Sequence, residues 1–157
     1  MYCLPYRGEI NYQQLNKEER SRITINLADT VELDFSTLHL SMLYAQRNIE
    51  LLSDPYSFDC NRNVAKKTIL VLINAETEYS ALKALGKEFE NTIDFKPIIA
   101  AAKQYHTPIA DCFGSGIGIK LQNYDAKIAV NVISHFAEKG VPCLPIHDSF
   151  IVEKRYK

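Results

Sequence analysis

The sequence predicts a mixed α/β (α+β) protein: an antiparallel sheet with helices packed on one face. Three observations predict it. Residues 30–35 alternate apolar and polar side chains, as a half-buried strand does. Several later stretches carry apolar residues at helical spacing. Near the end, two short apolar runs flank His147-Asp148-Ser149 in the manner of a β-hairpin. A strand first, helices between and a hairpin last give one antiparallel sheet covered by helices.

Residues 1–26 are rich in Tyr, Gln and Arg with little periodicity, and are expected to form a loop-rich arm ending in a short strand. In TVELDF, Val31, Leu33 and Phe35 fall on one side and Glu32 and Asp34 on the other. Ser36 stands where a helix cap is wanted, and a helix should run through Leu38, Met42 and Leu43 to near Asn48. Asp34 would then lie where a strand gives way to a helix.

A second helix is expected over residues 61–75, with Arg62, Lys66 and Ile73 on one side. Residues 81–89 and 97–105 read as two further helices, Pro97 suiting a first helical turn. Residues 108–118 are a turn-rich connection. Their Gly-Ser-Gly-Ile-Gly stretch follows no predicted strand and lacks the full phosphate-loop pattern, so it reads as a turn. Residues 120–139 carry the longest helical pattern, with Ile128, Val132 and Phe136 in one stripe and Gly140 as its stop. The last element is the hairpin of residues 143–146 and 150–152, with Asp148 at or near its tip.

At 157 residues the chain is long enough for one core, and 46% hydrophobic with 24% charged residues is the balance of an ordinary soluble protein. No run approaches the length of a membrane span and no signal-peptide pattern opens the chain, so a cytoplasmic protein is expected. Cys3, Cys60, Cys112 and Cys143 are far apart and form no metal-binding cluster, which suits reduced thiols. Eighteen Lys and Arg against 19 Asp and Glu argue against a strong grip on duplex nucleic acid by this chain alone, because such a grip needs a basic excess.

The residues able to carry chemistry are few. An acid at a strand end is ordinarily a cap or a solvated turn residue, and that reading stands beside any other for Asp34 and Asp148. If their strands are neighbours, however, the two carboxylates make the oxygen-rich environment that hard cations prefer. Two-metal sites of this kind hold their ions ~3.5–4 Å apart and stabilise both oxygens of an in-line phosphoryl displacement. Arg62 and Lys66, four residues apart, are either a solvated basic patch or a phosphate clamp that pairs a planar fork with a point charge. His106 and His135 have no partner at metal-ligand spacing and read as ordinary residues.

Five segments carry a resemblance. ELDFSTLHLSMLYA looks like motif A of the family A (DNA polymerase I-like) and phage-type single-subunit RNA polymerases, a strand ending in Asp and followed by an aromatic residue and Ser. NRNVAKKTILVLINAE resembles motif B, the fingers helix with its Arg and Lys, and CLPIHDSFIV is similar to motif C, the palm hairpin. LQNYDAKIA resembles the segment in which the DNA-polymerase branch has a minor-groove Gln, and RGEINYQQLNKEERSRITIN loosely resembles the approach to motif A. The chain also resembles short polymerase-like proteins of bacterial mobile elements.

The resemblance implies a single palm-like domain over residues 1–157 with the thumb missing. Within it would lie an arm (1–29), a motif A strand and helix (30–48), a fingers-like helical insertion (60–120) and a helix with the motif C hairpin (121–157). Asp34 and Asp148 would ligate two Mg²⁺ (or Mn²⁺) ions, with the Phe35 carbonyl as an extra ligand. Arg62 and Lys66 would bind a nucleoside triphosphate, Gln122 would touch a primer-template, and His147 would support the primer end or the hairpin. The expected activity is metal-dependent nucleotidyl transfer to a 3′-hydroxyl. The alternative is a non-catalytic polymerase relic that binds nucleotide, nucleic acid or a partner protein; phosphodiester hydrolysis is a third reading.

The sequence departs from the pattern in three places. Asn74 stands where the family's Tyr packs on the nucleotide, Ala75 where Gly is common, and His39 where DNA polymerases carry a Glu that crowds the sugar. These departures leave the choice between ribo- and deoxyribonucleotides open. Full polymerases of this group are several times longer, which implies either a part of a larger polymerase or a reduced form.

Overall fold

The computed structural model describes residues 11–51 and 54–157. The first ten residues of the expected arm, Cys3 among them, lie outside the described residues. Among the described residues the fold is mixed, four antiparallel strands with helices, as the patterning predicts. The chain divides into two compact units. One combines the described residues up to Ser36 with Ala126–Lys157, and the other is Thr37–Asp125.

The first unit holds the sheet. Its arm is more regular than its sequence suggests: a 3-10 turn at Tyr12–Gln14 leads into a short helix α1 (Lys17–Arg20). Asn16 and Glu19 close α1 with a reciprocal capping box, the side chain of each accepting from the other's backbone N–H. Strands β1 (Thr24–Ile25) and β2 (Ala28–Asp34) follow, joined by Asn26 and Leu27, both with positive φ as a tight two-residue hairpin loop requires. Strands β3 (Leu144–Ile146) and β4 (Ser149–Glu153) form the second hairpin. The strand order is β1-β2-β4-β3, so β2 and β4, far apart in the chain, run side by side at the centre.

The alternation in β2 has the predicted consequence. Leu33, Phe150 and Val152 meet Val132 and Phe136 of helix α6 (Gly118–Glu138) around an apolar cleft of about 140 Å³. Residues 126–138 of α6 belong to this unit and residues 118–125 to the other. Gly140, at φ +65, ends the helical run as expected, and its N–H donates to the Ala137 carbonyl.

The second unit is helical. Helix α2 (Leu38–Gln46) begins one residue later than a Ser36 cap would allow. Thr37 is the N-cap residue instead, with left-handed backbone and no side-chain capping bond, so the expected Ser36 cap is corrected. Helix α3 (Arg62–Asn74) is capped by Asn61, α4 (Glu78–Glu88) by a Thr77–Ser80 box, and α5 (Phe95–Tyr105) by Asp94. The core gathers residues at helical spacing: Ala65, Ile69, Leu72 and Ile73 from α3, Ala81 and Leu85 from α4, Ile99 and Ala102 from α5. Helix α4 starts three residues before the predicted position because the Thr77 box, not an apolar residue, sets its first turn.

The connection after α5 is a 3-10 helix (Thr107–Cys112) and then the glycine-rich stretch. That stretch wraps the C-terminal end of α3: the Gly114 N–H donates to the Leu72 carbonyl at 2.8 Å and the Gly116 N–H to the Ala75 carbonyl at 2.9 Å. Carbonyls left over at a helix end are thereby satisfied. Both glycines have positive φ, and a Cβ on Gly114 would fall 2.8 Å from the Glu78 backbone nitrogen. Here glycine is required by geometry.

His106, at the end of α5, is fully buried. Its Nε2 donates to the Pro55 carbonyl at 2.9 Å, so Nδ1, 2.9 Å from the Tyr44 hydroxyl, is the acceptor there. Tyr105, Phe58 and Phe113 pack edge-on around the ring. Burial pushes the imidazole below its ordinary value and keeps it neutral. His106 is thus a core residue.

Candidate functional site

Asp34 is the last residue of β2, and the ladder pairs it with Ser149, the first residue of β4. Ser149 also pairs with Ile146 of β3, leaving His147 and Asp148 as the two-residue tip of the hairpin. His147 has φ +48, the left-handed conformation that one of these tight loops needs and that His tolerates better than most residues. Opposed residues of an antiparallel pair have Cα atoms ~4.5–5.5 Å apart and successive residues 3.8 Å, which bounds the separation of the Asp34 and Asp148 Cα atoms at about 9 Å. Sequence position separates these acids, and register brings them together.

Asp34, His147 and Asp148 are all exposed. Neither aspartate is in an ion pair among the described residues. Phe35, beside Asp34, is 42% exposed and meets Phe150 edge-on with ring centroids 6.2 Å apart. This packing fixes the chain just after Asp34, on the apolar side of the sheet.

The polar side of the sheet carries an ordered network. Arg20 grips Glu32 with two parallel bonds, Nε to Oε2 and Nη2 to Oε1, each 3.0 Å. The Ser149 hydroxyl lies 2.8 Å from Glu32 Oε1 and 3.1 Å from the Ile146 carbonyl. Hydrogen bonding from Arg20 holds the Glu32 carboxyl below the usual range, and the Ser149 bond adds to this. Alternation in the sequence puts Glu32 on the same side as Asp34, but nothing local names Arg20 as its partner.

No protein-family model, curated protein or solved structure matches the chain. The site is therefore read from its own geometry. No cluster of three or more His, Cys, Asp or Glu side chains placed to hold a metal occurs among the described residues. Mg²⁺ takes one or two protein carboxylates and fills its octahedron with water and substrate oxygens, a demand that a carboxylate at a strand end beside one in the adjoining turn could meet. Asp34 and Asp148, with the Phe35 carbonyl, are the donors that would hold such an ion.

The remaining expected site residues lie in the helical unit. Arg62 and Lys66 are exposed on the first turns of α3. They share a stripe with Ile73, as expected, but the stripe passes from solvent at Arg62 to the core at Ile73, which is 3% exposed. Arg62 Nε donates to Asp54 Oδ2 at 3.0 Å, and its guanidinium lies 5.3 Å from the centre of the Tyr56 ring. No local period links Asp54 to Arg62, eight positions along an irregular stretch of chain. The pair lowers the Asp54 carboxyl and raises the guanidinium. Asn74 ends α3 with its side-chain amide donating to the Leu70 carbonyl at 2.8 Å, and Gly118 packs against it so closely that a Cβ there would meet Asn74 Oδ1 at 2.4 Å. His39 is half-buried on α2, and Gln122 is exposed on α6.

Proposed function

We propose that the protein is a metal-dependent nucleotidyltransferase of polymerase type, with Asp34 and Asp148 as the carboxylates of its centre. The observation that carries this reading is the β2–β4 register, in which Asp34 faces Ser149 and so stands beside the Asp148 turn. Both acids face solvent and neither has an arginine partner among the described residues, which keeps their oxygens available. Bound Mg²⁺ would supply charge stabilisation for phosphoryl transfer from a nucleoside triphosphate to the 3′-hydroxyl of a primer.

The chain's own part is positioning and charge. Asp34 presents its carboxylate from the end of the β2–β4 ladder and Asp148 from the adjoining turn. Arg62 and Lys66 bind the triphosphate, and His147 and Gln122 contact the nucleic acid. No helix among the described residues is long and apolar enough to cross a membrane. The reading carries a cytoplasmic location with it, which the free Cys60, Cys112 and Cys143 suit. A primer-extension assay with Mg²⁺ or Mn²⁺ tests the proposal. Asp148→Ala abolishes incorporation while the far-ultraviolet spectrum stays unchanged; incorporation that survives the substitution contradicts the assignment.

A specific observation favours a second reading, a non-catalytic polymerase-like module that binds nucleotide, nucleic acid or a partner protein. Asn74 spends its amide on its own helix and offers no aromatic face where motif B would have one. Calorimetry with Mg²⁺ and a nucleoside triphosphate separates the two: the module reading predicts no metal-dependent nucleotide binding.

A further inference from the structure

The network of Arg20, Glu32 and Ser149 occupies the positions next to both aspartates. Glu32 precedes Asp34 by two residues and therefore shares its face of β2. Ser149 follows Asp148 directly and is 4% exposed. Arg20 and Glu32 keep only 18% and 25% of their side-chain surface in solvent. Arg20 is itself anchored, with Nη1 donating to the Leu15 carbonyl at 2.8 Å and its helix closed by the Asn16 box. Gln13 of the same arm donates to the Pro145 carbonyl of β3 at 3.1 Å. The arm thus bonds to β2 at Glu32 and to the hairpin at Pro145.

A carboxylate two residues from a proposed metal ligand invites the role of a third ligand. The hydrogen bonds argue otherwise. Two bonds from Arg20 and one from Ser149 occupy three of the roughly four lone-pair positions a carboxylate offers. The hairpin tip has a separate need. Asp34 and Asp148 repel one another before any cation arrives, and the His147 backbone is held in an unfavourable region. Something must hold the turn against both.

We propose that Glu32 is a positioning residue: fixed by Arg20, it holds the Ser149 hydroxyl and so keeps the Asp148 turn beside Asp34. Arg20 also cancels the Glu32 charge, so the brace adds no further repulsion to the aspartate pair. What the braced turn is for rests on the function proposed above; the brace itself does not.

Two readouts on the full chain test it, amide hydrogen exchange and Mn²⁺ binding followed by paramagnetic broadening. Glu32→Ala and Ser149→Ala speed exchange at residues 147–150 by about tenfold relative to the β1–β2 hairpin, the size of effect one lost hydrogen bond gives. Both weaken Asp148-dependent Mn²⁺ binding by about tenfold or more, as loss of a ligand-orienting partner does. Glu32→Gln, whose amide oxygen still accepts from Ser149, stays within about threefold of wild type in both. Exchange that speeds equally throughout the sheet, or a turn unchanged in both alanine variants, overturns the brace. Should Glu32→Ala fail to fold, Ser149→Ala, which deletes one oxygen, carries the comparison. Wild-type protein lacking Asp148-dependent Mn²⁺ binding defeats the metal-site reading instead, and exchange at the turn then decides the brace by itself.

Discussion

Asp54 holds the guanidinium of Arg62 through Nε, at 3.0 Å, with a second, longer contact from Nη2 at 3.4 Å. The cation proposed to receive phosphate therefore already has an anionic partner, while Lys66, one turn along, has no ion-pair partner among the described residues. A triphosphate bound as proposed would compete with Asp54 for part of the fork.

Removing the competitor strengthens binding. Because exposed ion pairs are weak, Asp54→Asn tightens nucleoside triphosphate binding by no more than about fivefold at low salt. The gain shrinks as ionic strength rises. Calorimetry at two salt concentrations measures it. Weaker binding in Asp54→Asn shows instead that Asp54 orients Arg62 for the phosphate.

The buried His106 gives the helical unit a defined acid sensitivity. Its folded value lies below the ordinary imidazole value of about 6.5 because burial disfavours the cation. Between the two values the unfolded chain binds more protons than the folded one, so stability rises with pH across that window. It is lost as pH falls from about 6.5 toward the folded value, and below that value no further loss comes from this group. Urea midpoints at pH 5 and pH 7 detect the difference. His106→Gln removes most of the slope and lowers stability by about 1–3 kcal/mol at pH 7, through the unpaired Pro55 carbonyl and Tyr44 hydroxyl.

Gly114 and Gly140 have nearly the same backbone, φ +66 and φ +65, but different surroundings. An alanine at Gly140 meets nothing within 4 Å among the described residues and incurs the left-handed penalty, about 1–2 kcal/mol. At Gly114 the added carbon also collides with the Glu78 backbone nitrogen at 2.8 Å, where no flexible side chain can yield. Thermal denaturation therefore shows Gly114→Ala the more damaging of the two. Equal effects mean that the turn does not clamp the end of α3.

Much of this fold is legible in the chain because local rules and tertiary packing agree. The alternation of Val31, Leu33 and Phe35 announces β2, and the helical spacing of Arg62, Lys66 and Ile73 announces α3. The mixed antiparallel class followed from their order. What escaped was governed by backbone geometry or by distant partners. Helix α1 has too few residues for a periodicity and is set by Asn16 and Glu19 alone. Ser36 is a good capping residue in isolation, yet the chain leaving β2 enters α2 through a left-handed Thr37. Strand β2 begins at Ala28 rather than Thr30 because its loop is Asn26-Leu27, which lacks the glycine of the usual hairpin signal.

The same division applies to the candidate site. Alternation assigns Asp34 a face, but only the β2–β4 register says which residue it meets. The partners of Glu32 and Arg62 lie 12 and 8 residues upstream, off any local period, and no sequence pattern selects them.

The most direct measurement is the anomalous diffraction of crystals of the full chain soaked in Mn²⁺. The account predicts a peak bound by carboxylate oxygens of both Asp34 and Asp148, lost when Asp148 is changed to Asn. Manganese bound by only one of the two acids, or none at the hairpin in well-ordered crystals, contradicts it.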